Sequence, residues 1–219
     1  MDIIKKITLV RHGATEYNDK DLMQGRIDLP LSERGIRQAE SLRDLLRERK
    51  FDIIYHSPMK RAFQTAEIVN QCHQLDYIPI ENFREIHIGD WEGDKFSNVF
   101  TKHREVYQKW IVDASVRIPG GESYEDVQGR VKSGVIDILN SDYHDILIFG
   151  HAAVNRGILG NMLTMSPDLS RKFRISNCGF STFLVYENRI RSVKRDDLIP
   201  HLFVSLDNWN VTTHLENIE

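Results

Sequence analysis

The sequence predicts an α/β fold, with a mostly parallel sheet and helices on both of its faces. Three observations carry that prediction. Strand-length apolar runs occur at Ile7 to Val10, Ile53 to Tyr55, Ile146 to Phe149, Ser181 to Tyr186 and Ile190 to Lys194. Helical patterns separate several of these runs, and such alternation favours parallel pairing. At 219 residues the chain can bury a substantial core, so one domain over residues 1–219 is expected.

Taken in order, the first strand ends in Arg11-His12-Gly13. Ile36, Ala39, Leu42, Leu45 and Leu46 set an apolar stripe on a helix over about Glu33 to Arg49. After the second strand, Ser57-Pro58 reads as an N-cap followed by proline at the first helical position, with Ala62, Thr65, Ala66 and Val69 turned inward. Ser123 and Asp126 have capping-box spacing, and Val127, Val131, Val135 and Ile138 continue that helix on one face. A further helix is expected from about Val154 to Leu163, and Glu187-Asn188 suggests a tight hairpin between the last two strands. The stretch at about 93–118 fits the alternation poorly and reads as a cap-like insertion with helical content.

Composition narrows the function. With 29 Lys/Arg against 32 Asp/Glu the net charge is −3, which argues against nucleic acid as a partner, so any anion recognition must be local. Cys72 and Cys178 lie far apart, in neither metal-binding nor redox spacing, as expected in a reducing compartment. The run Ile7 to Val10 is too short for a signal peptide and no segment reaches membrane-spanning length. A cytoplasmic location with no membrane partner is the expectation.

Arg11 beside His12 points to an anion. Repulsion between the cations favours the neutral imidazole, leaving a ring nitrogen free to attack, and the guanidinium fork suits phosphate oxygens. Gly13 would allow a close ligand approach or a positive φ. Two other strands also end in polar groups, His56-Ser57-Pro58-Met59-Lys60-Arg61 and Gly150-His151. Ligands of parallel α/β sheets bind at the carboxyl ends of strands, so Arg11, His12, Arg61 and His151 should meet there. The helix following His151 would add backbone N–H groups and a positive dipole end.

A phosphatase also needs a general acid for the departing alkoxide. Glu85, in Phe83-Arg84-Glu85-Ile86-His87-Ile88-Gly89-Asp90-Trp91-Glu92-Gly93, is the first candidate and Glu92 the reserve; spacing alone does not separate them. Desolvation by Trp91 would help such a carboxyl hold its proton.

Blander readings apply to other residues. His56 reads as a supporting or structural residue, and His87, His103 and His144 as solvated surface. Trp91 and Tyr124 fit either a leaving-group pocket or simple packing. Glu122 and Ser123 read first as turn and cap, and Arg34 and Arg37 as the polar face of their helix. Lys95, Lys102, Arg104, Lys109 and Arg117 read as a solvated face that, if it overhung the crevice, would favour a second negative group on the substrate. The segment from His201 to Glu219, with Trp209 and His214, could close over the pocket or pack on a neighbour. No histidine pair has metal-site spacing, so no metal is expected.

The ordered segments LVRHGATEYN, DLPLSERG, SPMKRAFQTA, REIHIGDWEG, GGES and IFGHAAVNR resemble the histidine phosphatase superfamily, from residue 9 to about 156. The resemblance implies a three-layer α/β/α sandwich of the phosphoglycerate-mutase-like type. It also implies a phosphohistidine mechanism without cofactor or metal. His12 would be the nucleophile and Glu85 the proton donor. Arg11, Arg61 and a protonated His151 would hold the phosphoryl group, helped by Asn18 and Thr15, with Gly25 and Ala152 in the same substrate-binding set. IGDWEG and the short connection to GGES look more like the α-ribazole phosphatase and broad-specificity phosphatase branch than like the mutases. The implied partner is a small phosphomonoester, with a homodimer as a candidate assembly. The alternatives are phosphoglycerate mutase-type phosphoryl transfer and a non-catalytic phosphate-binding interaction protein.

Overall fold

The computed structural model describes residues 2–187, 202–216 and 218. Six strands make one sheet in the order β3-β2-β4-β1-β5-β6: β1 (Ile3–Arg11), β2 (Ile53–His56), β3 (Tyr77–Pro79), β4 (Asp145–Gly150), β5 (Phe180–Tyr186) and β6 (Phe203–Val211). The β3-β2, β2-β4 and β4-β1 pairs are parallel, and β5 runs antiparallel to both β1 and β6.

The strands of a doubly covered sheet carry apolar residues on both faces. Ile7, Leu9, Ile53, Tyr55, Ile146 and Ile148 pack into one cluster, which takes in Val127, Val131 and Val135 of α6 (Tyr124–Leu139) and Val154 and Ile158 of α7 (Ala152–Met162). The alternate residues Val10, Ile54, Leu147 and Phe149 pack with Leu42 and Leu46 of α2 (Glu33–Leu46) and Ala66 and Val69 of α3 (Lys60–Asn70). Burial of each large aliphatic side chain contributes about 1.5–3 kcal/mol.

The local readings hold unevenly. α6 begins at the expected capping box: Asp126 N–H donates to Ser123 Oγ at 3.1 Å and Ser123 N–H to the Asp126 carboxylate at 2.9 Å. α2 ends at Leu46, and Ile36 and Leu45 are each 41% exposed. Its buried face is instead Gly35, Gln38, Ala39, Leu42 and Leu46. The cause is Gly35, whose backbone lies against Ala14 so closely that a Cβ there would stand 1.9 Å from the Ala14 carbonyl oxygen.

Ser57 is not the cap of α3. The N-cap is Met59, and the first helical N–H, on Lys60, donates to Asp28 Oδ1 at 2.8 Å. α7 starts at Ala152, directly behind His151. Strands β3 and β6 were not expected. β3 is only three residues long, and β6 is a half-buried edge strand that mixes polar and apolar residues. The described part of the C-terminal segment therefore extends the sheet. Past it, His214 donates to the Cys178 carbonyl at 3.1 Å and accepts, at its own carbonyl, the Ser41 hydroxyl of α2 at 2.5 Å. The expected strand at Ile190 to Lys194 and the turn at Glu187-Asn188 fall on or run into residues outside the described ones.

The 93–118 stretch contains α4 (Phe96–Lys102) and α5 (Arg104–Trp110). Among the described residues no helix is long and apolar enough to cross a membrane.

Candidate active site

Strand register assembles the site. Arg11 pairs with Gly150, and Phe149 with both Val10 and His56, so three strands end level with one another. The chain leaving each end is then tied to β4: His12 N–H donates to the Gly150 carbonyl at 3.0 Å and Ser57 N–H to the Phe149 carbonyl at 2.9 Å. His12, Ser57 and His151 therefore meet at the carboxyl edge of the sheet.

His12 is 3% exposed, and its Nδ1 lies 2.7 Å from the Gly13 carbonyl. A carbonyl can only accept, so Nδ1 carries the proton. Its Nε2 accepts a bond from Arg61 Nε at 3.2 Å, so that nitrogen holds the lone pair. Burial first, then Arg61 and Arg11, push this imidazole well below its ordinary pKa. The same Arg61 Nε lies 3.2 Å from Nδ1 of His151, and the other ring nitrogen of His151 donates to Ser57 Oγ at 2.8 Å. His151 is likewise pushed well down, by burial and then by Arg61 and His12. The expected protonated His151 is thus neutral among the pocket's own charges.

Arg61 comes from the first turn of α3, and its terminal nitrogens donate to the carbonyls of Ile27 and Gly25, at 2.9 and 2.8 Å. Arg11 donates to the Ile175 carbonyl at 2.8 Å, while its buried Nε has no protein partner. Burial lowers each of these guanidinium groups to about 10, so both remain charged at neutral pH.

Glu85 follows the short helical turn Glu81–Phe83 and brings its carboxylate to the start of α7. It accepts the N–H groups of Ala153 and Val154 at 3.1 and 3.3 Å, and that of Ile86 at 3.0 Å. A carboxylate there complements the helix dipole and fills the place of a cap, which His151 does not provide.

Arg11, His12, Asn18, Gly25, Arg61, Glu85 and Ala152 line one cavity of about 450 Å³. His151 lies behind that wall, fully buried. Thr15 is buried outside the lining too: its hydroxyl caps α1 (Glu16–Asp19) through Asn18 and donates to Gln24 at 2.9 Å. Glu92 is also outside the lining, accepting Arg26 N–H at 2.7 Å. Gly13 does not take a positive φ. A Cβ there would stand 2.5 Å from the Gly35 carbonyl oxygen, so its small size admits α2.

From residues 93–118, Phe96 and Trp110 line the cavity, whereas none of the expected cations there does. Lys102 pairs with Asp94 and Arg117 with Asp126. Of the two aromatics left open, Tyr124 lines the cavity, and Trp91 is buried against Tyr107 and Trp110. Arg34 lines the mouth and pairs with Asp19. His56 donates to the Ser57 carbonyl at 2.8 Å and packs on Phe63 and Tyr77, a structural role. Asn177 and Arg156, which sequence reasoning did not select, also line the cavity. Arg156 closes the GHAAVNR segment, one helical turn after Ala152, a spacing that marks the same helix face.

A family model described as histidine phosphatase superfamily (branch 1) matches residues 7–197. The chain is 31% identical to phosphoserine phosphatase 1 of Hydrogenobacter thermophilus over 186 residues, covering 84% of this chain and 88% of that protein. It is also 31% identical to the adenosylcobalamin/alpha-ribazole phosphatase of Salmonella typhimurium, covering 84% of this chain and 96% of that protein. The crystal structure of the alpha-ribazole phosphatase from Shigella flexneri superposes with a TM-score of 0.78 at 26% identity, covering 94% of this chain and 96% of that one.

Proposed function

The chain belongs to the histidine phosphatase superfamily, and from that membership we propose that it is a phosphoric monoester hydrolase acting through a phosphohistidine on His12. The observation that carries this reading is the state of His12: a neutral imidazole whose Nε2 lone pair lies at a cavity lined by Arg11 and Arg61. Nε2 attacks phosphorus in line with the ester oxygen, the P–O bond breaks, and the arginines balance charge on the equatorial oxygens. The leaving oxygen takes its proton from Glu85. The carboxylate so formed then accepts a proton from water, which attacks phospho-His12 and frees phosphate and the imidazole.

Glu85 takes the donor role over Glu92 because it alone of the two lines the cavity. His151 acts as a positioning residue, held by Ser57 and holding Arg61, and a bound phosphate dianion would raise its pKa. Asn18, Gly25 and Ala152 complete the substrate set in this reading, and Thr15 supports it through Asn18. Fixed guanidinium groups do the electrostatic work here, so the proposed reaction runs without metal. Residues 93–118 act as the cap on the leaving-group side of a single cytoplasmic domain.

The test is phosphate release from a panel of small phosphomonoesters, with and without 2,3-bisphosphoglycerate. A hydrolase releases phosphate without it. Activity that depends on that bisphosphate, with phosphate moved to a second acceptor, would instead identify a mutase.

A further inference from the structure

We infer that the substrate carries a carboxylate on its leaving-group side and that Arg156 receives it. The inference rests on the hydrolase reading above and adds the class of substrate. Arg156 stands on α7 four residues after Ala152, and both line the cavity. Its Nε donates to the Phe173 carbonyl at 2.8 Å and one terminal nitrogen to Tyr124 Oη at 3.3 Å. Among the described residues the other terminal nitrogen has no acceptor, and no carboxylate pairs with this guanidinium. Arg34, which lines the same cavity, pairs with Asp19, whereas Arg11, Arg61 and Arg156 have no ion pair among the described residues. A half-buried cation without a counter-ion is costly, and here its field also acts against the charge on Arg11.

Trp110 stacks on Tyr124, with centroids 5.2 Å apart and 26° between planes, so Arg156 and Trp110 flank one phenol at the cavity wall. An acceptor that is also an anion fits the free N–H of Arg156, and a carboxylate does so in a plane suited to a guanidinium fork. Helical side chains lean towards the N-terminus, so Arg156 reaches back over the first turn of α7. Leu22, Met23, Ile88 and Phe96 supply apolar wall elsewhere in the cavity.

The test uses matched esters that differ by one carboxylate, O-phosphoserine against O-phosphoethanolamine and 3-phosphoglycerate against glycerol 3-phosphate. The native chain should favour the carboxylate member of each pair in kcat/KM by roughly 10- to 100-fold, the usual effect of a hydrogen bond to a charged group. Arg156→Gln should bring both ratios close to one, chiefly through KM, and Arg156→Lys should restore part of the preference. Equal turnover of the two members by the native chain, or a ratio that survives in Arg156→Gln, would overturn the inference.

A binding measurement keeps the question open to refutation should Arg156→Gln not fold. Calorimetry on His12→Ala with 3-phosphoglycerate and glycerol 3-phosphate should show the first binding more tightly, and equal affinities would overturn the inference. If the native chain released phosphate from no ester, p-nitrophenyl phosphate included, while that binding preference persisted, the hydrolase reading would fail and the carboxylate assignment would stand.

Discussion

Nδ1 of His12 lies 2.7 Å from the carbonyl oxygen of Gly13. Two consecutive residues thereby fix the tautomer of the ring. The carbonyl takes the Nδ1 proton, and the lone pair is left on Nε2, where Arg61 donates at 3.2 Å. Arg61 in turn spans from His12 to His151, so the two histidines and the cation form one buried unit.

The donor role proposed for Glu85 predicts a dependence on leaving group. Glu85→Gln should slow alkyl phosphates by about 10²- to 10⁴-fold, and p-nitrophenyl phosphate far less, because a nitrophenolate departs without a proton. Comparison of kcat on the two ester types decides it. Equal losses on both would make Glu85 a positioning residue at the start of α7.

The two buried imidazoles of the site predict a loss of stability in mild acid, to which the lowered pKa values of His56, His73 and His214 add. Both have folded-state pKa values well below 6.5, while the unfolded chain titrates near 6.5. Above that pH neither state binds the protons. Below it the unfolded chain binds them first, so stability falls, with a limiting slope of about 1.4 kcal/mol per pH unit for each histidine. Urea midpoints should drop between pH 7 and pH 5, and His12→Gln should flatten the decline. A slope unchanged in that variant would refute the assignment.

Glycine substitutions should have opposite signs at two places. Gly13→Ala forces a Cβ to 2.5 Å from the Gly35 carbonyl oxygen and should cost about 3 kcal/mol as α2 is pushed away. Gly129→Ala, on the exposed face of α6 with no heavy atom within 4 Å of its Cβ, should stabilise by about 0.5–1 kcal/mol. Denaturant melts of both variants check the pair.

Much of this arrangement was legible in the sequence, and the remainder has identifiable causes. Strand ends rich in polar residues marked Arg11, His12, Arg61 and His151, because a buried apolar run seldom ends that way without a ligand site. The other residues lining the cavity were less visible. Arg156 looks like any cation inside a helix, and Phe96 and Trp110 like core residues, until α4 and α5 are folded over the cavity. Ser57 was misread because the pair Ser-Pro signals a cap locally, whereas the hydroxyl is bound to a histidine 94 positions away. Ile36 and Leu45 were misassigned because the contact of Gly35 with Ala14 turns α2, and a pattern count does not register backbone approach. β6 escaped notice because an edge strand half in solvent carries the polar residues of Leu206-Asp207-Asn208-Trp209-Asn210. The neutral state of His151 depends on burial and on Arg61, which only the folded chain supplies.

The most direct test of the central claim is a rapid quench into alkali during turnover of a ³²P-labelled ester, followed by peptide mapping. The account predicts a label that is stable to alkali and labile to acid, on the peptide containing His12, attached at Nε2 and lost in His12→Ala. Label on any other residue, or full phosphate release by His12→Ala, would contradict it.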